Sequence, residues 1–364
     1  MAEQDDVAWL EALSPWPTGG FGLERMHELL AALDHPESGL PAVHVVGTNG
    51  KSTTTRMVEA LLLADGRRVG AYLSPHVHSW AERIRVDGDE ADLPTALAEV
   101  RPVAEALDAT QFEVLTAAAL VAFRRAEVDS AAVEAGLGGR HDATNVLDET
   151  RVVVLTNVSL EHTEVLGTTR EAIAAEKLAV VHSGCTVVLG ELEWEAAAVA
   201  AGAGRVVVAE GGSAALATEA ARAFLGGAVD VSALDRVTLP GRLERRPGEV
   251  RDGAHNADGV RWLVERLRPE EYTVVASILA DKDVDVMLEA LSTLGSRFVA
   301  TRSSNARALS ADALADRARR WFAAVEARDD PGEALTLAHG LGEPILVTGS
   351  LYLLADLEER ERWR

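Results

Sequence analysis

Val43-His44-Val45-Val46-Gly47-Thr48-Asn49-Gly50-Lys51-Ser52-Thr53 is the stretch on which the reading of this chain turns. An apolar, β-branched run leads into two glycines, a lysine and two hydroxyl residues, and then into a helical pattern over Ser52–Ala64. Glycines let backbone amides turn towards a phosphate, the helix N-terminus adds its dipole, and the Lys51 ammonium neutralises the outer phosphate oxygens. Only two residues separate the glycines, so the loop is shorter than the usual phosphate-loop pattern. The strand–loop–helix setting favours a nucleotide site over a chance glycine-rich turn, with Gly47, Thr48, Asn49, Gly50, Lys51, Ser52 and Thr53 as its residues.

Lys51 stands out for another reason. The chain has 35 basic residues, and only Lys51, Lys177 and Lys282 are lysines. A slim ammonium fits a phosphate loop and can become neutral and react, which a guanidinium cannot. The three lysines are therefore the first places to look for chemistry.

Outward from the loop, short apolar runs alternate with amphipathic ones. Strands are expected at Ala42–Thr48, Val69–Ser74, Ala131–Gly136, Val152–Val158, Thr186–Gly190 and Arg205–Glu210. Helices are expected at Thr110–Arg125, Arg170–His182 and Ala214–Leu225. Continuous Val/Leu/Ala strands separated by helices are the mark of a doubly wound α/β domain with a buried parallel sheet. A second series follows at Tyr272–Ile278, Arg297–Arg302 and Ile345–Ser350. The boundary is placed so that residues 1–236 form an ATP-binding domain and 237–364 a smaller Rossmann-like one. The charged tail Leu357–Arg364 is expected to be a solvated helix end.

Composition narrows the function. A net charge of −23 argues strongly against a nucleic-acid binder and equally disfavours an anionic membrane surface, since both select basic faces. It leaves room for a small anionic ligand in one locally positive cleft. Hydrophobic content of 48% with 4% aromatics suits a globular protein of Ala/Val/Leu-rich elements. Cys185 stands alone, so no disulfide framework or cysteine-based zinc site is expected. No basic-then-apolar leader and no run long enough to span a bilayer is found, and a cytoplasmic location is expected.

Six further motifs bear on the chemistry. Glu134 falls in an otherwise apolar strand before Gly136-Leu137-Gly138-Gly139-Arg140-His141-Asp142-Ala143-Thr144-Asn145. A buried carboxylate needs a cation or hydrogen-bond donors, so Glu134 either binds Mg²⁺ or pairs with Arg140. The three glycines are expected to permit close approach of a ligand. His162 follows another strand end in Ser159-Leu160-Glu161-His162-Thr163, where α/β sheets place ligands. Lys177 follows Glu176, and an exposed Glu–Lys pair is the ordinary reading. In the second domain, Pro240-Gly241-Arg242 and Asp252-Gly253-Ala254-His255-Asn256 are placed to contact a nucleotide across a cleft, and Asp281-Lys282-Asp283 reads as a helix cap.

Taken in order, these motifs resemble the folylpolyglutamate synthase/dihydrofolate synthase family of the Mur ligase superfamily. The resemblance also takes in Phe21-Gly22-Leu23-Glu24-Arg25-Met26, Leu73-Ser74-Pro75-His76, Glu82-Arg83-Ile84, Phe112-Glu113 and Thr348-Gly349-Ser350-Leu351-Tyr352. It implies a P-loop-containing Mur ligase central domain plus a smaller Rossmann-like C-terminal α/β domain. The activity implied is an ATP-dependent ligation of L-glutamate to a folate or dihydropteroate carboxylate through an acyl phosphate. By the same resemblance Lys51 and its neighbours hold ATP, and Ser74, Glu134 and His162 ligate two Mg²⁺ ions. Lys177 is implied to be a carbamate that joins those ligands. Arg242 and Asp252 are implied to meet ATP, Phe112 and Glu113 the pterin, and His255 the substrate, in a monomer.

The chain departs from the family pattern in places. It has Lys-Ser-Thr where Lys-Gly-Ser is common and Glu161 where an aspartate is usual. No His-Gln…Asn motif precedes the Ala214–Leu225 helix. A cell-wall Mur ligase would carry a further domain ahead of the loop, and only 46 residues precede Gly47. A non-catalytic scaffold on the same fold would be expected to lose Lys51, Ser74, Glu134, His162 and Lys177, which are all present.

Overall fold

The computed structural model describes residues 2–17 and 20–362 and divides into two compact units, Met1–Val237 and Thr238–Arg364. In the first unit the strands are β1 (Ala42–Val46), β2 (Val69–Tyr72), β3 (Ile84–Val86), β4 (Asp89–Glu90), β5 (Ser130–Glu134), β6 (Thr150–Leu155), β7 (Thr186–Leu189) and β8 (Arg205–Val208). They form one sheet in the order β4-β3-β2-β5-β1-β6-β7-β8. All neighbours from β2 to β8 pair in parallel, and β3 and β4 extend the sheet as an antiparallel edge.

The alternation of side chains along each strand sorts them into two layers. Val43 and Val45 of β1 and Val152 and Val154 of β6 pack with Val58, Leu61 and Leu62 of helix Lys51–Ala64 and Leu216, Ala217 and Ala220 of helix Ser213–Leu225. On the alternate positions, Val46, Val153 and Leu155 pack with Ile173 and Ala174 of helix Arg170–Lys177, and Val133 of β5 packs against Leu115 and Val114 of helix Gln111–Arg125. Each fully buried Val or Leu contributes about 1.5–3 kcal/mol. This two-sided burial explains why the strands read as continuous apolar runs.

The strands stop short of those runs. Gly47–Thr48, Leu73–Ser74, Ala135–Gly136 and Thr156–Val158 all leave the sheet at its C-terminal edge. β1 lies between β5 and β6, and the chain crosses over it in passing from β5 to β6. That arrangement opens a crevice at the β1 rim, the position where open α/β sheets bind ligands.

The second unit contains β9 (Glu244–Arg246), β10 (Glu249–Arg251), β11 (Thr273–Ala276), β12 (Arg297–Ala300), β13 (Ala324–Ala327) and β14 (Ile345–Thr348). Their order is β13-β12-β11-β14-β10-β9, parallel except for the β9–β10 hairpin. The tail is a helix end exposed at Glu359, Arg360 and Glu361, as expected, but Leu357 is buried and the end is not free of the fold. Helix Leu351–Arg362 is tied to the hairpin by Glu358 and Glu361, which pair with Arg246 and with the buried Arg251. Trp363 and Arg364 of that tail lie outside the described residues. Among the described residues no helix is long and apolar enough to cross a membrane.

Candidate active site

The phosphate loop is strapped to the segment that follows β6. The Thr48 N–H donates to the Asn157 carbonyl at 3.0 Å, and the Asn49 N–H donates to Asn157 Oδ1 at 2.8 Å. Thr48 Oγ1 accepts from the Ser159 N–H at 3.1 Å. Gly47 has φ 145°, and a Cβ there would stand 1.8 Å from Thr156 Oγ1, so only glycine fits. Gly50, at φ 82°, turns the chain into helix Lys51–Ala64. The Lys51 ammonium folds back to the Thr48 carbonyl at 3.4 Å. A helix N-terminus with a lysine beside it is a ready anion site.

Glu134 ends β5 and is 1% exposed. Its Oε1 accepts from the Ser52 hydroxyl and its Oε2 from the Ser74 N–H, both at 3.0 Å. The carboxylate thus sits between the phosphate-loop helix and the loop after β2. Arg140 is engaged elsewhere, with Nε 3.2 Å from Glu176 Oε2, so the alternative Glu134–Arg140 pair is not formed. Among the described residues no three of His, Cys, Asp and Glu converge into an all-protein metal cage. The set that does gather, one carboxylate with serine oxygens beside a phosphate loop, matches the way Mg²⁺ is held through one or two carboxylates plus substrate phosphates.

Lys177 overturns its ordinary reading. It is 1% exposed, at the end of helix Arg170–Lys177, and its partner is not Glu176. Nζ donates to the Gly47 carbonyl at 2.9 Å and to Glu161 Oε1 at 2.7 Å. Burial pushes the Lys177 amine below its ordinary value, opposed in part by Glu161. For Glu161 burial works upward, yet Lys177 and Lys51 outweigh it and hold the carboxyl below its ordinary value. His162, next to Glu161, takes φ 44° at the start of the short helix Thr163–Leu166.

The glycine-rich loop was expected to leave room for a ligand, and the chain itself fills that room. A Cβ at Gly136 would meet the Phe112 ring at 2.5 Å, and one at Gly139 the Lys177 carbonyl at 2.6 Å. Gly138 turns with φ 70° against Leu166. Phe112 also faces Tyr72, with ring centroids 5.9 Å apart. Glu113 is spent within the fold: its oxygens accept from the Thr110 N–H and hydroxyl in a capping box, and Arg25 Nε lies 2.9 Å away. Asp142, given no role from the sequence, is buried and accepts from the Leu137 N–H at 2.7 Å and the Thr144 N–H at 3.0 Å. An aspartate closing a glycine-rich turn two residues before a threonine was the signal for it.

Near Gly50, helix Ser213–Leu225 begins with no side-chain cap, and the Ser213 hydroxyl reaches the Gly50 carbonyl at 3.5 Å. In the second unit, Asp252 follows β10 and accepts from the Leu243 and Ala254 N–H groups at 2.8 and 2.9 Å. Burial raises the Asp252 carboxyl, and Arg242 opposes the shift. His255 Nδ1 lies 2.8 Å from the Gly253 carbonyl, and Lys282 pairs with Asp281 at 3.2 Å.

Comparison with known proteins gives a consistent answer. The model of the Mur ligase middle domain matches residues 45–189. A dihydrofolate synthase/folylpolyglutamate synthase of Bacillus subtilis is 31% identical, covering 99% of this chain and 99% of its own. Among solved structures, Escherichia coli FolC in complex with DHPP and ADP has a TM-score of 0.88 at 28% identity, covering 100% of this chain and 98% of its own. A bifunctional folylpolyglutamate synthase/dihydrofolate synthase with Mn, AMPPNP and L-glutamate bound has a TM-score of 0.87 at 29% identity, with 99% and 98% covered.

Proposed function

The chain belongs to the folylpolyglutamate synthase/dihydrofolate synthase family, and on that footing we propose that the crevice at the β1 rim is where it joins L-glutamate to a folate-type carboxylate. It is an ATP-dependent ligase of that type. The observation that carries the site assignment is the meeting of the Lys51 loop, Glu134 and Lys177 on one edge of the sheet, with Lys177 bonded to the loop's own Gly47.

The acceptor carboxylate attacks the γ-phosphorus of ATP and expels ADP. The glutamate amine then attacks the acyl carbon of the resulting acyl phosphate, phosphate leaves, and the amine gives up its proton. Lys51 and the amide groups of residues 47–53 hold the phosphates in line, a matter of positioning and charge. Ser74, Glu134 and His162 would hold two Mg²⁺ ions, which supply charge neutralisation at the transferring phosphoryl group. Lys177 is the candidate carbamate. Burial favours its neutral amine, the form that adds CO₂ and releases a proton, and addition turns a cation into an anion. Arg242, Asp252 and His255 are assigned to the nucleotide and substrate from the second unit, and Phe112 to the pterin.

Purified protein incubated with ATP, Mg²⁺, L-glutamate and a panel of dihydropteroate and folyl-glutamate acceptors should release phosphate. The acceptor should gain one glutamyl mass per turnover, and the panel shows which acceptor is used. Absence of phosphate release with every acceptor defeats the proposal. Lys177→Ala should abolish turnover, and short carboxylates should restore part of it. Unchanged activity in that variant would remove the carbamate assignment alone.

A further inference from the structure

His44 lies on β1, three residues before the phosphate loop, and has no exposed surface. Its Nε2 is 2.8 Å from Thr144 Oγ1. The Thr144 hydroxyl donates to Asp142 Oδ1, so its oxygen is the acceptor for His44, and the imidazole proton is fixed on Nε2. Among the described residues Nδ1 has no hydrogen-bond partner. Burial, with His182 in support, pushes the imidazole down to about 3, so the ring is neutral and in one tautomer.

A leucine would fill this space without leaving a polar atom unpaired. Packing therefore does not call for an imidazole here, whereas a bond to Thr144 does. The chain of donors His44 to Thr144 to Asp142 closes on the Leu137 N–H at 2.7 Å and makes a ring of the 137–144 loop. The far side of that loop rests on the end of helix Arg170–Lys177. The Arg140 N–H donates to the Glu176 carbonyl at 3.1 Å, and Gly139 abuts the carbonyls of Glu176 and Lys177.

We infer that His44 is a positioning residue for the ligation: through Thr144 and Asp142 it holds the glycine-rich loop, and through that loop the backbone that sets the Lys177 side chain against Gly47 and Glu161. It touches no substrate. The inference rests on the ligase reading given above, and wild-type turnover separates the two. An inactive wild type counts against the ligase reading, whereas an active wild type with unaffected variants counts against the role of His44.

The test uses His44→Leu, Thr144→Val, their double variant, and the conservative His44→Gln and Thr144→Ser. The apolar variants should lower kcat about 10- to 100-fold and leave the KM for ATP within about threefold, as expected for a displaced catalytic group. His44→Gln and Thr144→Ser keep the donor chain and should recover most of kcat. The double variant should be no worse than the poorer single one, because the two side chains act in series. Thermal unfolding of each variant reports the fold. Folded apolar variants with kcat within about twofold of wild type would overturn the inference. So would conservative variants no better than the apolar ones, or effects that multiply in the double variant. If His44→Leu does not fold, Thr144→Val carries the test, and loss of folding in both overturns it by assigning the chain to stability.

Discussion

Gly139→Ala is a small change with a large expected effect, and its size follows from the geometry. The new methyl would sit 2.6 Å from the Lys177 carbonyl oxygen, 2.8 Å from that of Glu176 and 3.1 Å from the Lys177 carbonyl carbon. These are backbone atoms, so no rotamer change relieves the clash. Real methyl carbons essentially never come within 3.0 Å of such an atom, and the loop and the helix end must part by at least 0.4 Å. Overpacking of this kind costs about 1–3 kcal/mol. In a unit the size of Met1–Val237 that lowers Tm by roughly 2–4 °C per kcal/mol.

The effect on turnover should exceed the effect on stability. The displaced atoms belong to Lys177 itself, whose amine bonds at 2.9 and 2.7 Å depend on where its backbone lies. A misplacement on the order of 1 Å costs about 100-fold in rate. Gly227→Ala is the control, since a Cβ there meets nothing within 4 Å and the backbone is not left-handed. Steady-state phosphate release and thermal unfolding should show Gly139→Ala folded, modestly destabilised and slowed by about 10- to 100-fold, with Gly227→Ala unaffected. A Gly139→Ala enzyme with wild-type kcat would show that the loop does not set the position of Lys177.

Three other outcomes are expected. Because the folded pKa of His44 is depressed from 6.5 to about 3, the unfolded chain binds the proton first. The stabilisation from neutral His44 is therefore complete above pH 6.5 and is lost as pH falls from 6.5 towards 3. Unfolding free energies from urea titrations of wild type and His44→Gln at pH 7 and pH 5 should differ in pH dependence by about 2 kcal/mol, and parallel curves would refute the assignment. Arg251→Met removes the buried cation that Glu249, Glu358 and Glu361 share, leaving them Arg246 and His339, and denaturant unfolding should show a loss of about 1.5–3 kcal/mol in the second unit. Gly340→Ala, in helix Pro331–Leu341 with nothing near its Cβ, should raise the stability of the same unit by up to about 1 kcal/mol.

What could be read from the chain beforehand, and what could not, divides along physical lines. The parallel strands announced themselves because burial on both faces leaves uninterrupted apolar runs, as in Val152–Leu155. The edge hairpin β3–β4 did not, since its few residues are half solvated and carry no such run. Runs overshot strand ends at Thr48, Ser74, Gly136 and Val158 because the residues that leave the sheet to build the crevice stay buried, as at Thr48 and Val158, or half-buried, as at Ser74 and Gly136. Lys177 was misjudged from its neighbour Glu176 for a related reason. At helical spacing a residue and its immediate neighbour point in different directions, so Glu176 turns to Arg140 while Lys177 turns inward. Its true partners, Gly47 and Glu161, are 130 and 16 residues away, and only the sheet order brings them together. The same holds for Gly139, whose need for a missing side chain is set by a helix end rather than by a ligand. Local pattern thus located the elements and their punctuation. The pairings that assemble the candidate site were fixed by β1 standing between β5 and β6, and that adjacency is written in no short stretch of the chain.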